Sequence, residues 1–158
     1  MASARAIVGT ILPILLVPLI SFAGPDDEPT AAPGLGEIMS ANQMRHAKLW
    51  FAGQAGNWKL AAYEVDELEE GFDDVIRFHP THKDAPAPLS ELVPAMMTGP
   101  IGQLRSAIAA KDGARFEQAF DVLTDACNAC HQETHFGFNV VIRPTTNPYS
   151  NQRFDLPQ

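Results

Sequence analysis

From about Leu35 to Cys130 the chain places apolar residues three and four positions apart in four successive runs, with no convincing period-two alternation between them. A chain patterned this way buries its stripes by packing helix against helix. The first run spans about Leu35 to Ala52, with Met39, Gln43, His46 and Trp50 on one face; Gly53-Gln54-Ala55-Gly56 breaks it. The second opens on Asn57 as N-cap, with Trp58 at its first position. It carries Ala61, Val65, Leu68, Phe72 and Val75 inward, is read with Glu64, Glu67, Glu70 and Asp74 outward, and stops at Pro80. After a proline-rich loop to Pro88, a third helix is expected over about Leu89 to Lys111, kinked or interrupted at Thr98-Gly99-Pro100 because proline lacks the backbone donor. Asp112 then caps a fourth, whose stripe is Phe116, Phe120, Leu123, Cys127 and Cys130. The expected fold is all-α, an antiparallel four-helix bundle.

The ends read differently. Residues 1–23 have the form of an export signal: a short n-region ending at Arg5, an apolar stretch from Ala6 to Ile20, and Ser21-Phe22-Ala23 as a small-x-small cleavage site. The apolar stretch, broken by Pro13 and Pro18, is shorter than the roughly 20 residues of a membrane-spanning helix. An uncleaved anchor is the alternative reading. Residues 24–36 are expected to be a flexible linker, 37–143 the helical domain, and 144–158 an irregular tail that Tyr149 and Phe154 pin to the body.

The chain's only two cysteines stand in one pentapeptide, Cys127-Asn128-Ala129-Cys130-His131. C-x-x-C-H is the attachment signature of c-type haem: two thiols on one helical turn add to the porphyrin vinyls, and the next residue offers an imidazole to the iron. The competing readings are a thioredoxin-like redox pair, which wants a βαβ setting, and a zinc half-site, which wants a second ligand pair. Neither context is present in the sequence. Haem c is attached outside the cytoplasm, so the export signal and the motif support each other, and a periplasmic location is expected. The motif on the last of four helices resembles the class II cytochromes c, the cytochrome c′ family, over roughly residues 37 to 138. The runs Arg45-His46-Ala-Lys48-Leu-Trp50-Phe51-Ala-Gly53 and Asn57-Trp58-Lys-Leu-Ala-Ala-Tyr63-Glu64 also resemble an exported C-x-x-C-H cytochrome subgroup.

That resemblance implies haem c covalently bound through Cys127 and Cys130, placed on the fourth helix, with His131 as proximal iron ligand. It also implies a sixth position that is either open or filled from the first helix. Met39, Gln43, Met44 and His46 are the side chains there that could face the iron. His46 is chemically the strongest donor, Met44 is nearest the family's usual methionine, and Met39 ranks below both. His135 is read as meeting a haem propionate or solvent, His79 and His82 as solvated, and Met96-Met97 as core or pocket lining. Arg45, Arg105 and Lys48 are the candidate partners for propionates.

The formal net charge of −8 becomes about −9 once Arg5 leaves with the signal. Such a surface repels nucleic acid and favours transient docking to basic redox proteins. Bundles of this kind also pair through their first two helices, so a homodimer is an expectation. No catalytic arrangement demands substrate turnover, so the chain is read as a non-enzymatic periplasmic electron carrier. The alternative is a five-coordinate haem protein that binds NO or CO.

Overall fold

The computed structural model describes residues 32–155, which belong to one compact unit beginning at Ala32. The expected export signal and most of the expected linker lie outside the described residues. Among the described residues there are four helices and no strand: α1 (Leu35–Gln54), α2 (Trp58–Phe78), α3 (Leu89–Ala110) and α4 (Gly113–Glu133). They form a four-helix bundle in which α1 packs most extensively on α2 and α3 on α4, with α2 against α3 closing the middle. None of these helices is long and apolar enough to cross a membrane.

The helix boundaries follow from local chemistry. Asn57 Oδ1 accepts the Leu60 amide at 3.2 Å and Asp112 Oδ1 accepts the Arg115 amide at 3.1 Å, so both act as N-caps. Three helices end in paired Schellman bonds, with Gly56, Lys111 and His135 at positive φ of 66°, 53° and 65°. α3, expected to kink or break at Pro100, instead runs unbroken through Pro94 and Pro100. Each proline costs about 3 kcal/mol in a helix interior. Val93, Met97, Ile101, Leu104 and Ile108 form a buried stripe spanning both, and each such side chain contributes roughly 1.5–3 kcal/mol on burial. Burial wins, and the helix continues.

The core is built around Leu49, Val65, Val75, Leu104, Phe116, Phe120 and Leu123, all at most 1 % exposed. Phe116 is flanked by Trp50 and Trp58. The buried line of α1 is Ile38, Asn42, His46, Leu49 and Gly53, with Trp50 beside it. Met39 and Gln43, read from the sequence as part of that line, lie at its edge. Glu64 is a second correction: only 2 % exposed, it points into the helix packing near Lys48 and Arg45 of α1. Burial raises its pKa, because the charged carboxylate is poorly solvated there.

The packed body continues past residue 143. Phe154 is 6 % exposed, its carbonyl accepts Asn57 Nδ2 at 3.0 Å, and its ring lies against Phe51 and Tyr149. At the other end Pro33 and Gly34 are already tied in: His79 Nε2 donates to the Pro33 carbonyl at 2.8 Å, and Glu37 accepts the Gly34 amide at 2.9 Å. His79, expected to be solvated, is therefore a fastener between the end of α2 and the start of α1.

Candidate functional site

The apolar stripe of α4 ends in the pentapeptide, which brings Cys127, Cys130 and His131 to a common wall. That wall faces a cavity of about 300 Å³ whose other sides include Met39, Asn42 and His46 of α1, Leu68 and Phe72 of α2, and Val93 and Met97 of α3. A second cavity of about 340 Å³ adjoins it, sharing Met39, Val93, Cys130, His131 and Asn139, and reaches His82 and Phe136. Volumes in this range hold a sizeable organic ligand, and the walls are mostly apolar, as ligand sites are.

His131 is held in one tautomer. Its Nδ1 lies 2.6 Å from the carbonyl oxygen of Asn139. A carbonyl only accepts, so Nδ1 carries the proton and Nε2 keeps its lone pair. This is how a metal-binding imidazole is oriented and made more basic. The carbonyl is itself positioned from within the motif. Asn128 donates its Nδ2 to the Val141 carbonyl and accepts the Val141 amide on Oδ1, both at 2.8 Å, pinning the segment that follows α4. The second residue of C-x-x-C-H thus fixes the partner of the last.

Both thiols are free, and burial raises the pKa of each, that of Cys127 up to about 12. A reactive redox dithiol needs the opposite shift. Among the described residues no three His, Cys, Asp or Glu side chains converge as they would around a zinc ion.

On the α1 side the structure separates the four candidates. Met39 lines both cavities, and Gln43 and His46 line the first. Met44 does not: it is 42 % exposed, and its carbonyl accepts the Tyr149 hydroxyl at 3.3 Å on the tail side. Its step of about 100° from Gln43 carries it off the cavity. His46 is 4 % exposed, with its ring 4.4 Å from that of Phe120. The Thr124 hydroxyl donates to the Phe120 carbonyl at 2.9 Å, which uses its single proton. His46 Nε2, 2.8 Å from the same hydroxyl oxygen, is therefore the donor, and Nδ1 keeps the lone pair. Burial pushes the His46 pKa down to about 4.

The expected propionate partners are engaged elsewhere, and among the described residues no Arg or Lys lines either cavity. Arg45 pairs with Glu67 at 3.1 Å, Arg105 with Asp66 at 2.6 Å and with Glu69, and Lys48 sits over the Tyr149 ring. His135 is also not on α4: the helix stops at Glu133, and His135 occupies the left-handed turn that follows, exposed. Two functional-looking residues escaped the sequence reading, and a third, His82, was read as solvated. Asn42 was hidden by its polarity, Asn139 acts through its backbone, and His82 reaches the second cavity from a loop, its ring edge-on to Phe136. Only the position of Asn42 four residues before His46 signalled any of them.

Comparison of the chain with models of protein families, with curated proteins and with solved structures finds no match.

Proposed function

We propose that this chain is an exported monohaem c-type cytochrome, similar to the class II cytochromes c, that carries electrons in the periplasm. The observation that carries the reading is the pinned His131: its Nε2 lone pair stands free on the same wall as both cysteines, beside a mostly apolar cavity. The donor set fits the group, with Cys127 and Cys130 available for the two thioethers and His131 for the iron. Haem c, when bound, supplies a one-electron ferric/ferrous couple. The chain's part is to orient His131 through Asn139 and Asn128, to surround the site with apolar walls that exclude water, and to present an acidic exterior to basic redox partners. None of this requires substrate turnover.

The second reading, a haem that binds NO or CO at an open sixth position, is favoured by one specific observation. Met44 stands off the cavity and His46 Nε2 is committed to Thr124, so of the four α1 candidates only Met39, Gln43 and His46 Nδ1 are left beside it. The test is an optical spectrum of the purified protein, oxidised and reduced, after acid-acetone extraction. Haem retained by the chain and a low-spin spectrum in both states support the carrier. A high-spin spectrum with immediate CO uptake moves the protein to the second reading. Haem released by the extraction, or none acquired, overturns both.

A further inference from the structure

Among the described residues one buried side-chain polar atom has no hydrogen-bond partner: Nδ2 of Asn42. The residue is 5 % exposed and is a wall of the first cavity, between His46 and the α2 residues Leu68 and Phe72. Its orientation is dictated by its neighbours. Arg45 Nη1 lies 3.0 Å from Oδ1, and a guanidinium only donates, so the oxygen must face it and the amide cannot be turned over. Arg45 is in turn anchored by Glu67 at 3.1 Å. The carboxamide is seated on Gly71, where any Cβ would overlap Oδ1, so it has no room to swing away. A cation drawing on Oδ1 polarises the amide and strengthens Nδ2 as a donor.

A buried donor with no acceptor is costly, and such atoms in folded proteins usually mark a missing partner. Here no described residue offers one, and Asn42 borders the cavity that His131 faces. We propose that Asn42 is a binding residue of this cavity, donating from Nδ2 to an oxygen acceptor carried by its occupant; this rests on the haem reading above. Two sources share that chemistry: the oxygen of a small ligand held at the iron, or a haem propionate. The propionate needs donors of this kind, because among the described residues no cation lines either cavity.

Two variants separate the donor from the fold. Asn42→Asp keeps an oxygen for Arg45 and removes the donor, whereas Asn42→Leu removes both. Haem content of each holoprotein, read from the alkaline pyridine spectrum, tests the underlying reading first: no covalent haem in the wild type overturns the proposal along with it. With haem present, the C–O stretch of the ferrous CO adduct reads the first source. Loss of the donor in either variant is expected to raise that frequency and to speed CO release on the order of tenfold, the effect of one hydrogen bond. The midpoint potential reads the second source. A potential lowered in both variants, with the C–O stretch unmoved or no CO taken up by the wild type, assigns the donor to the propionate. An unchanged stretch, release rate and potential in Asn42→Asp, with haem content intact, overturns the proposal.

Discussion

At the scale of single residues, the histidines show how much their neighbours decide. His131 and His46 are both held through a single ring nitrogen, but a carbonyl holds the first and a hydroxyl the second. His131 was legible because its place after Cys130 is covalent fact. Its clamp was not, since an asparagine between two cysteines carries no sign of which segment it will hold. Asn128→Ala is expected to cost about 2 kcal/mol, two hydrogen bonds' worth, measured by denaturant titration. If haem is bound as proposed, the imidazole freed from Asn139 becomes a poorer donor to ferric iron, so the midpoint potential should rise. A potential equal to wild type would show that Asn139 holds His131 without the clamp. For His46 the sign runs the other way from an ion-paired histidine. Its folded pKa of about 4 lies below the ordinary 6.5, so protons bind the unfolded chain more tightly. Its contribution is complete above pH 6.5 and is lost as pH falls toward 4, by about 3 kcal/mol in all. His46→Gln, neutral and still able to donate to Thr124, should lose stability less steeply between pH 6.5 and 4. Parallel pH slopes for the two proteins would sink this account.

At the scale of elements, the four helices and both side-chain N-caps were legible because apolar periodicity and capping chemistry are local. What periodicity missed is set by the facing helix. Glu64 reads as part of an acidic outer face, and the polar side chain of Asn42 gives no sign of burial. Both are buried, and Asn42 is buried because Gly71 on α2 leaves a hollow that receives its carboxamide. Gly53 plays the same part toward the Phe116 ring. Gly53→Ala and Gly71→Ala each force a methyl group into occupied space and are expected to destabilise by about 1–3 kcal/mol, although alanine is the better helix former. A gain in melting temperature for either would mean that the helices separate more easily than this packing allows. The end of α4 gives the opposite sign. His135 sits at φ 65°, where a Cβ is unfavourable, so His135→Gly should stabilise by about 1 kcal/mol. The spectrum should not change, because His135 lines neither cavity.

At the scale of the whole molecule, the stretch after α4 divides into two parts with different work. Residues 139 and 141 wall the first cavity and hold His131, while the stretch beyond Arg143 packs on the far side, where Tyr149 and Phe154 meet α1 and Asn57. The sequence puts residues 139–143 in the helical domain and only 144–158 in an irregular tail, whereas neither part is helical and the order of both comes from side chains distant in the chain. Arg143 marks the junction, pairing with Asp121 at 2.6 Å and lying over the Trp50 ring at 4.3 Å. Two truncations should therefore behave differently. Ending the chain after Arg143 exposes the Phe154 site and strips Asn57 Nδ2 of its acceptor. Lost burial of roughly 2–3 kcal/mol and a lost hydrogen bond of about 0.5–1.5 kcal/mol together amount to about 3–4 kcal/mol. For a body of this size that lowers the melting temperature on the order of 10–20 °C. On the proposed haem reading, the spectrum and midpoint potential should stay as in the full chain, since neither cavity loses a wall. Ending it after Phe138 additionally removes Asn139, Val141 and Arg143, and should alter the spectrum and raise the potential even at temperatures where the bundle remains helical by circular dichroism. Identical spectra for the two truncations would mean that His131 is oriented by something other than the segment that Asn128 holds.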